Sequence, residues 1–365
     1  MIPKQYYTFC RINKQIFDKP VHPIPKILLF QFKNILNSAA FGLDHFLFPS
    51  VRNIRMEKPI FILGNPRSGT TFLHRFLLNS DETCAMELWE MIFPSLVTRK
   101  FIHKIIDHLT PMTPVSYYHS DSHKTTLRDI ETDDVTALLK FFKGFLFWAY
   151  FSAWESPFYS EECINDSLIL PEEQTAYFKY MEDCWRRNLI AKKKSRIIAK
   201  SPALTVQADL LLQRYPDAKL IYLIRDPLQT IPSCLSLING VLEKAVKLKT
   251  KTTPQMRNTY YANIYSGLCH SYKVFFDFHK NGILPESSCL IVPYSALMTD
   301  LKTTMERIIQ FAELKPQLHF WQQVEKTSKK QTQFTSNHRY QTEDYGLSND
   351  QIKKDLSFVY DHFTM

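Results

Sequence analysis

The chain has 365 residues, 45% of them hydrophobic, a formal charge of +9 and only 8 Gly. This length and apolar content suit an α/β sheet with a sizeable core and exclude a disordered or low-complexity chain, while the charge favours anionic partners or a membrane surface. The 7 Cys form no C-x-x-C pair, which argues against a zinc site or disulfide framework and for reduced thiols inside a cell.

Residues 1–58 read as an N-terminal helical arm, with Pro20, Pro23, Pro25 and Pro49 around one amphipathic stretch. Met1-Ile2-Pro3-Lys4 opens no apolar run with a small-residue cleavage site, so no signal peptide is expected and the location is read as cytoplasmic. The stretch Ile27 to Phe48 contains Lys33, Asn34, Asn37, Asp44 and His45 and is too polar to span a bilayer. It suits lying against a membrane or covering a hydrophobic pocket.

Residues 59–365 read as one α/β domain organised by its first strand. Ile60 to Leu63 is a short apolar run bounded by Pro59 and Gly64, the pattern of a buried parallel strand. Gly64-Asn65-Pro66-Arg67-Ser68-Gly69-Thr70-Thr71 follows, and Phe72, Leu73, Phe76 and Leu77 then recur at helical spacing. A strand, a tight Gly loop and a helix aim successive backbone N–H groups at an anion on the helix N-terminus. The Lys that a nucleotide triphosphatase carries after the second Gly is Thr70 here, and Arg67 puts the charge inside the loop. Substrates with a shorter phosphate chain fit that arrangement better.

A second strand is expected near Thr83 to Met86, followed by Glu87-Leu88-Trp89-Glu90. Carboxylates beyond a strand's carboxyl end lie where doubly wound sheets bind ligands, so Glu90 and then Glu87 are candidates for a general base. Either can equally cap or charge the first turn of the next helix. Residues 95–170 lack parallel-strand signals and read as a helical insertion shaping a substrate site. They hold His119, His123, the acidic run Asp129 to Asp134, and an aromatic run from Phe141 to Trp154 that suits core packing.

Pro171 opens a long helix that ends in the basic cluster Arg186 to Arg196, a solvated surface. Arg196 to Lys200 reads as a third strand, with Ser201 as N-cap and Pro202 as the first helical residue. Ala218 to Ile224 is a fourth buried strand ending in Arg225-Asp226-Pro227, and Ser233 lies eight residues beyond Arg225. Arg225 supplies a charged fork of donors and Ser233 a further hydroxyl. Pro232 is expected to kink that helix. Residues 240–256, with Lys244, Lys247, Lys249 and Lys251, read as a basic mobile loop. A long helix, a last strand at Cys289 to Pro293 and a helix from Asp300 to Phe311 complete the sheet.

On these residues the chain resembles the sulfotransferase superfamily, whose members carry a sulfonate from 3′-phosphoadenosine 5′-phosphosulfate (PAPS) to an acceptor. Phe61-Ile62-Leu63-Gly64-Asn65-Pro66-Arg67-Ser68-Gly69-Thr70-Thr71 is similar to the family's 5′-phosphosulfate loop, and Arg225 with Ser233 to its 3′-phosphate site. The resemblance is to the bacterial-type branch and also to tyrosylprotein sulfotransferases. It implies a P-loop-type parallel sheet of about five strands with helices on both faces, PAPS as co-substrate and no metal. It also implies contacts to PAPS from Arg67, Ser68, Gly69, Thr70, Thr71, Arg225 and Ser233.

Lys200 matches the family's Lys-Ser-Pro corner and would stabilise the leaving phosphate. Where one branch has a catalytic His this chain has Pro202, so the base is Glu90, Glu87 or His123. The tail from Asn337 to Leu347 resembles the family's C-terminal segment and offers Arg339 to the nucleotide. The acceptor is read as a small or lipid-like molecule bearing a hydroxyl, in preference to an amine, and no nucleic acid is expected. Two other readings compete: a P-loop kinase or NTPase, and a non-catalytic nucleotide-binding protein of the membrane surface.

Overall fold

The computed structural model describes residues 4–18, 23–108, 126–130, 132–141, 143–156, 171–331 and 341–363. The chain divides into two compact units. One comprises Met1–Arg55, Met86–Lys193 and Leu237–Ile264, and the other Met56–Ala85, Lys194–Ser236 and Tyr265–Met365.

The second unit holds the whole sheet. Its strands are β1 (Ile60–Gly64), β2 (Thr83–Cys84), β3 (Arg196–Lys200), β4 (Lys219–Ile224) and β5 (Cys289–Pro293), in the spatial order β2-β3-β1-β4-β5. All four pairings are parallel, and β1 is central, with Ile62 opposite Lys200 on one side and Ile221 on the other. β1, β3 and nearly all of β4 are buried on both faces, which explains their unbroken apolar runs. The expected fold class, an α/β P-loop-type parallel sheet of five strands, is therefore the observed one.

Alternation along β1 sorts the core. Ile60 and Ile62 join Leu73, Leu77, Ile198, Ile221, Met305 and Phe320 on one face. Phe61 meets the ring of Tyr215, and Tyr222 of β4 stacks on Phe275 at 3.3 Å between centroids. The chain leaves β1 toward β2 and leaves β4 toward β5, so the carboxyl ends of β1 and β4 flank the place where connections diverge. In open parallel sheets that is where ligands bind.

The first unit is helical among its described residues. It includes helices Lys4–Gln15, Pro23–Leu47, Leu88–Ile92, Leu96–Ile102 and Pro171–Lys192. Asp44 and Arg187, both fully buried, pair at 2.7 Å. The Asp44 carboxylate also accepts from the amides of Leu96 and Val97 and from the Ser95 hydroxyl, satisfying the start of the Leu96–Ile102 helix.

Three local expectations are corrected. The basic cluster that ends the Pro171–Lys192 helix is not all solvated surface, because Arg187 and Arg196 are buried. Residues 240–256 are not a basic loop: they continue the Pro227–Val246 helix, form a turn of helix at Leu248–Lys251 and begin the Pro254–Lys280 helix. Leu248 is fully buried there, and Lys247 at φ 54° makes the break between helices. Ser201 does not cap the Pro202–Gln207 turn, and its buried hydroxyl has no partner among the described residues.

Candidate active site

The loop after β1 takes the form that its glycines allow. Gly64 has φ 125°, and a Cβ there would lie 2.3 Å from the carbonyl oxygen of Leu223, so only glycine permits β1 and β4 to approach this closely. The Gly64 amide donates to the Thr205 hydroxyl at 2.9 Å, and Ser68 closes the turn by donating from Oγ to the Asn65 carbonyl at 2.6 Å. Gly69, at φ 94°, precedes the Thr70–Leu78 helix. The Ser68 amide donates to the Asn65 carbonyl, while the amides that open that helix have no acceptors within it and suit an anion.

Arg67 sits at φ 73°, a left-handed conformation that costs a side-chain-bearing residue about 1–2 kcal/mol. Two contacts hold it. Arg225 donates from Nη1 to the Arg67 carbonyl at 2.8 Å, and Arg67 donates from Nε to Ser233 Oγ at 3.1 Å. The structure thus brings Arg67, Arg225 and Ser233 together, although they are separated by up to 166 positions in sequence.

Arg225 is itself framed. Its guanidinium donates to Gln229 Oε1 and lies 4.3 Å from the centre of the Tyr294 ring, a cation–π contact. The buried Tyr272 hydroxyl donates to the Arg225 carbonyl at 2.9 Å. Asp226 accepts from the Leu228 amide and from Tyr360, which starts the Pro227–Val246 helix firmly. Burial pushes both phenols up, most strongly as desolvation, with Asp226 adding to it; both remain neutral donors near neutrality. Lys200, at the end of β3 and 2% exposed, donates to Thr71 Oγ1 at 3.0 Å. All these residues belong to the second unit.

Glu87 and Glu90 belong to the first unit. Glu90 sits at the third position of the Leu88–Ile92 helix, and its Oε2 accepts from the Glu87 amide at 2.9 Å. Its side chain is 2% exposed, with Oε1 at 3.4 Å from Arg99 Nη1 and 3.2 Å from Lys192 Nζ. Glu87 is 21% exposed and accepts from Lys192 at 3.0 Å and from the Trp89 indole at 2.8 Å. Burial would lower the Lys192 pKa, but Glu90 and then Glu87 outweigh it, so the ammonium is held above its usual range. Glu90 makes the capping contact weighed for these carboxylates. His119, His123 and Arg339 lie outside the described residues.

Sequence reasoning did not single out Thr205, Tyr272, Gln229 or the ring role of Tyr294. Tyr294 alone had a signal, its place at the carboxyl end of the last strand.

The model of the Sulfotransferase family matches residues 59–317. The chain is 24% identical over 229 residues to the omega-hydroxy-beta-dihydromenaquinone-9 sulfotransferase Stf3 of Mycobacterium bovis and of Mycobacterium tuberculosis, covering 58% of this chain. It spans about half (53%) of the length of these curated relatives. Among solved structures, sulfotransferase STF9 from Mycobacterium avium superposes with a TM-score of 0.69 at 16% identity, over 89% of this chain and 81% of that one. STF1 from Mycobacterium tuberculosis gives 0.65 at 16% identity, over 87% and 81%. At that identity the two structures speak for the fold alone, whereas the family model covers most of the chain, from the start of β1 to beyond β5: the chain belongs to the sulfotransferase family.

Proposed function

We propose that the protein transfers a sulfonate from PAPS to a hydroxyl of a lipid-like acceptor. The observation that carries this reading is the joining of Arg67, Ser233 and Arg225 at the carboxyl ends of β1 and β4. The donor set fits a nucleotide with two separate anionic groups. The loop amides from Arg67 to Thr71 suit the 5′ side, while Arg225 and Ser233 suit the 3′-phosphate. PAPS when bound would supply the activated sulfonate.

In this reading Arg67, Ser68, Gly69, Thr70 and Thr71 bind and orient the 5′ group. Lys200, held by Thr71, presents a fixed positive charge where negative charge develops; losing a preorganised contact of that kind costs about 3–4 kcal/mol. The acceptor proton goes to Glu90, Glu87 or His123. Glu90 is enclosed by Arg99, Lys192 and the Glu87 amide, which favours a role in holding its helix, and Glu87 is the more exposed carboxylate. The base is the residue whose Gln or Ala variant loses about 10²–10⁴-fold in kcat at unchanged stability.

A lipid-like acceptor is supported by the relatives that act on a menaquinone derivative. Such an acceptor puts the enzyme at a membrane surface. Incubating the protein with PAPS and lipid extracts, then following PAP release and product mass, tests the reading. Sulfated lipid and PAP in equal amounts are expected. Tighter binding of ATP with Mg²⁺ than of PAP would overturn it in favour of a kinase or NTPase.

A further inference from the structure

The Pro23–Leu47 helix is amphipathic in the reverse sense for a surface helix. Its polar side turns inward: Asp44 is fully buried, and Gln31, Asn34 and Asn37 are half-buried. Its apolar side turns outward, with Leu28, Phe32, Ile35, Leu36, Leu43 and Phe46 between 44% and 79% exposed. At 3.6 residues per turn these six positions fall within one stripe along about 30 Å of helix. A run of exposed side chains of this size is far from the scattered apolar residues of an ordinary surface.

The exposed charges on the two segments that carry this face are of one sign. Across residues 23–48 and 96–106 the only acid is Asp44, which the Arg187 pair takes out of play. Lys33 is exposed on the helix itself. Lys100 is exposed on Leu96–Ile102, the helix whose first amides bind Asp44, and its Nζ lies 4.9 Å from the Phe48 ring. Phe101 beside it is 69% exposed, and Lys104 follows. The nearest acid in sequence, exposed Asp107, is paired with Arg128. No helix among the described residues is long and apolar enough to cross a membrane. An apolar stripe flanked by lysines, on a helix too polar to span, has the chemistry of a segment lying in the headgroup region.

We infer that the outward face of Pro23–Leu47, with Phe101, docks the enzyme on a bilayer rich in anionic lipids. Phe32, Ile35 and Phe46 enter the acyl boundary, and Lys33, Lys100 and Lys104 meet the headgroups. The inference deepens the lipid-acceptor reading by naming the surface that brings the enzyme to its substrate. Its test uses no sulfonate transfer, so the two fail separately.

The full chain is sedimented with vesicles of phosphatidylcholine alone and with vesicles containing about one third phosphatidylglycerol. Binding to the anionic vesicles is expected, falling as salt rises. The double variant Phe32→Ser/Phe46→Ser is expected to bind about ten-fold more weakly or less. Its PAP affinity and melting temperature should match the parent's, since both positions face solvent and neither belongs to the phosphate site. Lys33→Gln/Lys100→Gln should lose mainly the preference for anionic vesicles. The inference is overturned if the parent ignores vesicles or if the Phe variant binds as well as the parent. It is equally overturned by a solution dimer that the Phe substitutions dissolve, because a second copy would then cover the face.

Discussion

Arg225 and Arg67, two cations, are joined through backbone: the Arg225 guanidinium donates to the Arg67 carbonyl at 2.8 Å while the Arg67 side chain turns to Ser233. The residue ending β4 thereby fixes the shape of the loop that follows β1. Arg225→Ala removes both a charge and a brace. PAP binding should weaken about 10–100-fold, from a charged hydrogen bond worth about 1.5–3 kcal/mol, and more than binding of the 3′-dephospho nucleotide. Calorimetry with both ligands checks this, and equal losses would count against the 3′ assignment.

The two loop glycines should differ in kind. Gly64→Ala drives a methyl onto a β4 carbonyl at 2.3 Å, whereas Gly69→Ala meets the Tyr294 ring at 2.7 Å, a side chain that can shift. Gly64→Ala is expected to lower global stability by several kcal/mol, roughly the cost of overpacking plus left-handed strain. Gly69→Ala should cost about 1–2 kcal/mol yet still weaken PAP binding, because it disturbs the helix start. Urea unfolding and ligand titration of each variant separate the effects.

Breaking the buried pair should be expensive. Asp44→Ala leaves the buried Arg187 guanidinium only the more distant Asp183 carboxylate, at 3.7 Å, and strips the amides of Leu96 and Val97 of their acceptor. A loss of about 3–5 kcal/mol is expected in chemical denaturation. A variant replacing both residues by apolar ones should recover part of it.

Glu313 supplies a pH signature. Lys58 and then Lys219 hold its carboxyl down to about 2, below the ordinary 4.5. A depressed folded-state pKa contributes stability above the unfolded value, and that contribution is lost as pH falls from about 4.5 toward about 2. Glu313→Gln should therefore flatten acid unfolding in that window and reduce the salt sensitivity of stability at neutral pH. The group is surface-exposed, so the effect is small. An unchanged acid limb in fluorescence-monitored unfolding would refute the assignment.

The centre of the sheet was legible because β1, β3 and nearly all of β4 are buried on both faces, with Pro59 and Gly64 bounding β1. Ile60 to Gly64 and Lys219 to Ile224 are apolar runs that hardly read otherwise. The Gly64–Gly69 loop was legible for a related reason, since both glycines stand where the backbone goes left-handed. Other features depend on distant partners. Tyr294 gains its place from Gly69 and Arg225, far away in the chain, and the Thr205 hydroxyl reaches Gly64 across 141 positions. The lysines of 240–256 suggested a loop, but Val241, Leu242 and Leu248 are buried and keep the segment helical. Glu90 and Glu87 could cap or catalyse on sequence grounds alike, and only the positions of Arg99 and Lys192 tell how Glu90 is engaged.

The Asp44–Arg187 pair also decides which way the Pro23–Leu47 helix is rolled. Turning that cylinder half a revolution would hide its greasy side, yet it would carry the carboxylate into water and leave a buried guanidinium with only the Asp183 carboxylate, at 3.7 Å. The orientation is therefore keyed, and the protein keeps an oily flank on display even when no partner is near.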